Sequence, residues 1–95
     1  MIAVNKPLFK LGQCVATPGA IHALEEAGQG VWEYVSRHVQ GDYGEVDAED
    51  RQANEDAITH GERILSAFTL RTGQRLYVIT EADRSSTCVL RVEDY

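Results

Sequence analysis

The pattern of apolar residues changes at Arg63, and this change constrains the fold more than any other feature of the sequence. After it, three runs rich in β-branched, aromatic and aliphatic residues follow one another: RILSAFTL, RLYVITEA and STCVLRV. The short segments RTGQ and ADRS lie between them. Apolar runs joined by short polar turns are typical of antiparallel strands. The last third of the chain is therefore predicted to form a three-stranded antiparallel meander.

The sequence before Arg63 carries helix signals instead. Thr17 and Pro18 suit the N-cap and the first position of a helix, and Asp47 precedes acidic residues that suit another first turn. Glycines follow each apolar stretch at positions where helices commonly end. Together these signals predict a short strand from Gln13 to Ala16 and helices from Pro18 to Ala27, Val31 to Val39 and Ala48 to His60.

These elements indicate an α+β fold in one domain, residues 1–95. A chain of 95 residues is long enough to bury one modest core. We expect a short N-terminal strand, three helices and then the meander, which packs on the helices through one face. Because both faces of the predicted sheet are apolar, the other face is expected to meet a partner or a second copy of the chain.

Several classes of site are not indicated by the sequence. Cys14 and Cys88 are far apart and lack the neighbours of a zinc site, so two reduced, buried thiols are expected. The acidic residues after Gly41 do not follow the spacing of a calcium loop, and no glycine pattern forms a phosphate-binding loop. We therefore expect no metal and no cofactor. The absence of an apolar run of roughly 18 residues and of a signal sequence favours a cytoplasmic location without membrane contact.

The charge of the chain is unevenly distributed. The net charge is −6, but residues 21–62 contain eleven acidic and two basic residues, a formal charge of −9. An acidic half of this kind repels a phosphate backbone, so the sequence argues against nucleic acid as a partner. Aromatic side chains beside acids suit a protein-binding surface, although they also suit the cover of a core. The predicted binding residues are Trp32, Asp42, Tyr43, Glu45, Glu49 and Asp50.

The charged stretch ITEADRSST, residues 79–87, has two interpretations. As a hairpin loop, Asp83 would accept hydrogen bonds from nearby backbone N–H groups. As a site, Arg84 and Thr87 would lie at one end of the sheet near His38. An arginine beside a histidine and hydroxyl groups can stabilise phosphate charge and move protons, as metal-independent RNA cleavage requires. On spacing alone, a histidine in this position is more often a hydrogen-bonded helix-end residue than a catalytic base.

Four segments of the chain carry a resemblance to a known family. LGQCVATPGA, SRHVQGDYGEVDAEDRQANE, GERILSAF and ITEADRSSTCVL resemble small bacterial proteins of plasmids and integrative elements. The most specific patterns are Arg-His-x-x-Gly-Asp-aromatic-Gly and Thr-Glu-Ala-Asp-Arg-Ser-x-Thr. The resemblance implies a mobile-element setting rather than a mechanism. A weaker likeness, at the level of the fold, is to the barnase–RelE group of ribonucleases.

These observations lead to one main functional hypothesis. We expect a non-enzymatic accessory protein of a mobile genetic element that acts by protein–protein contact; one version is an acidic inhibitor of a host defence complex. The alternative is a metal-independent ribonuclease in which His38 is the base, Arg84 clamps the phosphate and Thr87 donates a hydrogen bond. A homodimer formed through the open sheet face is a third hypothesis.

Overall fold

The computed structural model of the protein describes residues 7–95. Its elements are, in chain order, β1 (Gln13–Ala16), α1 (Pro18–Ala27), α2 (Val31–Val39), α3 (Ala48–His60), β2 (Ile64–Thr69), β3 (Arg75–Thr80), β4 (Ser86–Arg91) and a 3-10 turn at Val92–Asp94.

The four strands form one mixed sheet in the order β1-β4-β3-β2. The α+β class is therefore confirmed, but the predicted three-stranded antiparallel meander is only partly right. The last three strands pair antiparallel, whereas β1 adds to β4 as a parallel fourth strand, from Gln13 opposite Ser86 to Ala16 opposite Val89. A strand of four residues carries too little pattern to reveal where in a sheet it will pair.

The helix ends follow from local chemistry. Thr17 Oγ1 accepts a hydrogen bond from Ala20 N at 3.1 Å and Asp47 Oδ1 accepts one from Asp50 N at 2.8 Å, so each side chain caps its helix. Gly28 and Gly61 end α1 and α3 in the left-handed conformation.

The helices bury one face of the sheet. Side chains along each strand alternate between the two faces of the sheet. Those that face the helices are fully enclosed: Ile64, Ser66, Phe68, Leu76, Val78, Thr80, Thr87 and Val89. Tyr34 and Val35 of α2 join this core, and the Tyr34 ring packs against the Phe68 ring of β2. Three hydroxyl groups therefore lie inside an otherwise apolar layer.

The backbone groups at the outer edge of β2 are paired with a side chain of α3 and with the loop before that helix. Asn54 of α3 donates to Leu65 O at 2.8 Å and accepts from Leu65 N at 3.0 Å. Next to it, Ala67 N donates to Tyr43 O and Glu45 N donates to Ala67 O. A strand edge whose backbone groups are already paired does not recruit further strands.

The opposite sheet face is partly covered by the C-terminus. The Tyr95 ring lies against Tyr77, with ring centroids 5.4 Å apart, and its hydroxyl accepts from Arg63 at 3.2 Å. The expectation that both cysteines are buried is wrong for Cys14, which is exposed because β1 is an edge strand, while Cys88 is half-buried. None of the described helices is long and apolar enough to cross a membrane.

Candidate functional site

His38 occupies the last turn of α2 and points into the sheet. It lies one helical turn after Tyr34 and Val35, so its side chain shares their buried face. The ring has no exposed surface. Nδ1 lies 2.6 Å from Ser66 Oγ of β2, and Nε2 lies 2.9 Å from Thr80 Oγ1 of β3. Both ring nitrogens are therefore satisfied inside the core.

Thr80 and Thr87 extend this contact into a chain of hydrogen bonds. Their Oγ1 atoms are 2.7 Å apart, and Thr87 Oγ1 donates to Leu11 O at 2.8 Å. A hydroxyl group has one proton to donate. Because Thr87 gives its proton to Leu11, Thr80 must donate to Thr87 and must accept from His38 Nε2–H. The neutral ring then accepts at Nδ1 from Ser66, so all four bonds run in one direction from Ser66 to Leu11.

Burial determines the charge of this histidine. Loss of solvent lowers the pKa of His38 from its ordinary value of 6.5 to about 4, because the charged imidazolium is disfavoured in an enclosed site. Among residues 7–95, the hydrogen-bond partners of the ring are two hydroxyl groups and no acidic side chain. His38 is therefore neutral at physiological pH.

Arg84 is fixed by backbone carbonyl groups. Its Nη1 donates to Glu62 O at 2.6 Å and also to two carbonyls within its own turn, while Nη2 donates to Ala57 O at 2.9 Å. Ala57 belongs to the last turn of α3, where a positive charge complements the free carbonyl ends of the helix. The guanidinium group thus joins the β3–β4 turn to the end of α3.

Phe9 contacts both of these residues. Its ring centroid lies 5.2 Å from that of His38 in an edge-on arrangement, and Arg84 Cζ lies 5.8 Å from the same ring. The structure therefore brings His38 and Arg84 to one region of the molecule. Their polar atoms bond to different partners, and Phe9 packs against both side chains.

The stretch ITEADRSST forms the hairpin loop between β3 and β4. Asp83 Oδ1 accepts from Ser85 N at 3.0 Å, and bonds from Ser85 lower the pKa of the Asp83 carboxyl group. Arg84 N donates to Glu81 O, and Glu81 N donates to Ser86 O. This arrangement agrees with the hairpin interpretation of the stretch.

The three residues of the ribonuclease hypothesis all have structural roles here. His38 has no surface from which it can take a proton from a substrate, Thr87 is fully buried, and the Arg84 donors face carbonyl groups. A general base must come within hydrogen-bond reach of the proton that it removes. In this arrangement the polar atoms of all three side chains bond to other parts of the fold.

The predicted binding residues divide into two groups. Trp32, Asp42, Glu45, Glu49 and Asp50 are exposed. Tyr43 is not, since only 3% of its surface is accessible, and it packs with Ala57 and Ile64 in a second apolar cluster. Its assignment to the surface is corrected here: the loop turns Tyr43 inward because its backbone pairs with Ala67 at the sheet edge.

Two of the exposed carboxylates have cationic neighbours. Asp42 pairs with Arg37 at 2.7 Å, and this bond lowers the pKa of the Asp42 carboxyl group. Glu45 accepts from Thr69 Oγ1 at 2.8 Å and lies 3.8 Å from Arg75. These contacts orient the loop before α3, while Glu49 and Asp50 project from the first turn of that helix.

Sequence reasoning did not identify Ser66 and Thr80 as partners of His38. The only signal was strand alternation, which places Ser66 on the same face as Ile64 and Phe68, but the pairing register cannot be read from alternation alone. Within residues 7–95, no group of three or more His, Cys, Asp or Glu side chains is arranged to hold a metal ion.

Comparison with family models, with curated proteins and with solved structures found no match to the chain.

Proposed function

We propose that the protein is a non-enzymatic accessory protein of a mobile genetic element and acts by binding another protein through its acidic surface. By acidic surface we mean Asp42, Glu45, Glu49 and Asp50. The observation that carries the proposal is the exposure of carboxylates. All eleven acidic residues of the 21–62 segment are exposed, and the same segment contains only two arginines. His38, Ser66, Thr80 and Thr87, in contrast, are enclosed.

The acidic surface is held in a fixed position. The loop that carries Glu45 pairs with Ala67, and Asn54 fastens α3 to Leu65 with two hydrogen bonds. Arg84 holds the other end of the same helix. A surface that is ordered before binding loses less conformational entropy in the complex, so preorganisation of the carboxylates favours affinity.

The chemistry of this surface indicates a basic partner. Exposed carboxylates on a fixed scaffold present negative charge, as a nucleic-acid backbone does, and complementary charge accelerates association. A positively charged nucleic-acid channel in a host defence complex would meet this requirement, and the protein would then act as an inhibitor by occupying the channel. Such binding weakens as salt screens the charges.

The proposal can be tested with two matched variants. Glu49→Gln with Asp50→Asn removes two charges from the acidic surface, and Glu25→Gln with Glu26→Gln removes two exposed charges from α1. Each tagged protein is used to capture stoichiometric partners from a bacterial lysate. The affinity of a purified partner is then measured across a salt series, and circular dichroism verifies that both variants are folded.

We expect the wild type and the α1 variant to retain a common basic partner, and the acidic-surface variant to lose it. Affinity should fall steadily as salt rises. Equal retention by both variants, or affinity that does not change with salt, would contradict a binding mode based on the acidic surface.

A further inference from the structure

A groove of about 580 Å³ runs along α2, and none of the four residues of the acidic surface is among its described lining residues. One wall is the helix stripe formed by Trp32, Ser36, Val39 and Gln40, whose spacing places them on one side of a helix. The other wall is the extended segment 7–12. Since a helix rises about 1.5 Å per residue, the stripe from Trp32 to Gln40 is about 12 Å long. This wall of the groove therefore spans about two helical turns.

The walls of the groove are fixed by contacts that reach the core. Leu8 N donates to Val39 O at 2.9 Å, and Leu11 O accepts from the buried Thr87 hydroxyl at 2.8 Å. Between them, the Phe9 ring packs against His38. Segment 7–12 is thus held at both ends, and the groove exists before any ligand binds.

The lining of the groove is apolar with a single charge. Trp32 is the largest exposed apolar side chain in it, with 62% of its surface accessible. Lys10 is the only charged residue among the described lining residues. Small-molecule sites are typically clefts of about 300 to 1,000 Å³ with apolar walls and a few polar groups that set the orientation. This groove has the size and the composition of such a site.

We infer that this groove binds a small carboxylate with an elongated apolar body. The apolar body would lie along the α2 stripe against Trp32, and the carboxylate would lie beside Lys10. The charge of the chain supports this choice of ligand: the net charge is −6, so a ligand with several negative charges is repelled, whereas one carboxylate is compensated by one lysine. This site is separate from the acidic surface, and its test does not depend on the proposed function.

Trp32 makes the inference directly measurable. It is the only tryptophan of the chain, so its fluorescence reports on the groove alone. We would titrate the protein with sodium decanoate, whose extended chain is similar in length to the stripe, at concentrations below those at which it forms micelles. We expect a saturable shift of the emission to shorter wavelength, because the ligand removes water from the indole ring.

Three variants distinguish specific binding from general adsorption. Ser36→Phe fills the groove and should abolish the saturable shift. Lys10→Gln should weaken decanoate binding roughly two- to fivefold, as expected for loss of one exposed ion pair. Arg71→Gln removes a cation from the exposed β2–β3 turn and should leave binding unchanged.

Circular dichroism and chemical denaturation would verify the fold of each variant. The absence of a saturable shift in the wild type would overturn the inference. Undiminished binding in Ser36→Phe, or equal weakening by Lys10→Gln and Arg71→Gln, would overturn it as well.

Discussion

The side chains of His38 and Thr80 are joined by a hydrogen bond of 2.9 Å between Nε2 and Oγ1, and neither residue is accessible to solvent. Together with the contact between Nδ1 and Ser66 Oγ, this bond joins the last turn of α2 to β2 and β3. Satisfied polar groups in a core specify one arrangement, since any other arrangement leaves them without partners. We regard His38 as the residue that sets the position of α2.

The stability of the protein should fall as the pH falls from 7 to 5. The pKa of His38 is about 4 in the folded protein and near 6.5 in the unfolded chain, so the unfolded chain binds more protons across this range. Protonation therefore favours unfolding, by about 2 kcal/mol between pH 7 and pH 5 for a shift of this size. Chemical denaturation at several pH values measures the effect.

His38→Gln serves as the control for this dependence. The variant removes the titrating group, so the part of the slope that is due to His38 should disappear between pH 7 and pH 5 even though overall stability falls. NMR titration of the His38 ring gives an independent value. A measured pKa near 6.5 in the folded protein would contradict the prediction.

The direction of the hydrogen-bond chain predicts one tautomer of His38. Thr87 donates to Leu11 O, so the proton of the neutral ring must lie on Nε2. Nitrogen chemical shifts of the ring distinguish the two tautomers. Thr80→Val, which keeps the shape but removes the hydroxyl group, should cost about 1 to 3 kcal/mol because it leaves Nε2–H buried without an acceptor. Thr80→Ser should restore most of the loss, and a proton on Nδ1 would show that the chain runs in the opposite direction.

Local signals in the sequence predicted the elements well. Thr17, Pro18 and Asp47 mark helix starts through bonds or backbone angles that depend only on neighbouring residues, and the structure shows those caps. The hairpin at Asp83 follows from the same kind of local chemistry, since the carboxylate accepts from a backbone N–H two residues later. Features within one turn of the chain are therefore accessible to sequence reasoning.

Features that depend on distant residues were not accessible in this way. Tyr43 looked like part of an aromatic and acidic surface, yet pairing of its backbone with Ala67 turns it inward. Cys14 looked like a core residue, yet β1 lies at the sheet edge. The partners of His38 lie 28 and 42 residues away, and only the register of the strands brings them together.

Arg84 has a left-handed backbone with φ of 60°, and its side chain donates hydrogen bonds to backbone carbonyl groups. Two variants separate the cost of the backbone strain from the contribution of the side-chain bonds. Arg84→Ala loses the bonds to Ala57 O and Glu62 O and keeps a Cβ atom in a strained conformation. Arg84→Gly loses the same bonds but relieves the strain. Both should be less stable than the wild type, and Arg84→Gly should be about 1 kcal/mol more stable than Arg84→Ala. Equal midpoints of urea unfolding would show that the strain is absent.

A side chain at Gly44 should destabilise the protein strongly, whereas one at Gly73 should cost only moderate stability. Both have positive φ, but a Cβ atom at Gly44 would clash with Ala67 O and would lie 2.7 Å from the Phe68 ring, while one at Gly73 would have nothing within 4 Å. Gly73→Ala therefore isolates the backbone term, about 1 to 2 kcal/mol. Gly44→Ala adds the clash and should cost several kcal/mol more, since it also displaces the loop from the edge of β2. If Gly44→Ala and Gly73→Ala lost similar amounts of unfolding free energy in urea, the loop would have adjusted to the added atom.

Tyr43→Phe should leave the protein as stable or make it more stable. The Tyr43 hydroxyl group is buried and has no hydrogen-bond partner among the described residues, and burial raises its pKa because the phenolate is disfavoured there. Removal of a buried polar group without a partner removes its desolvation cost, worth about 1 kcal/mol or more. Tyr34→Phe is the matched control: Tyr34 Oη accepts a bond of 2.6 Å from Gln29, so this variant should lose stability. If Tyr43→Phe proved the more damaging of the two in urea unfolding, the hydroxyl group would have a partner in solution.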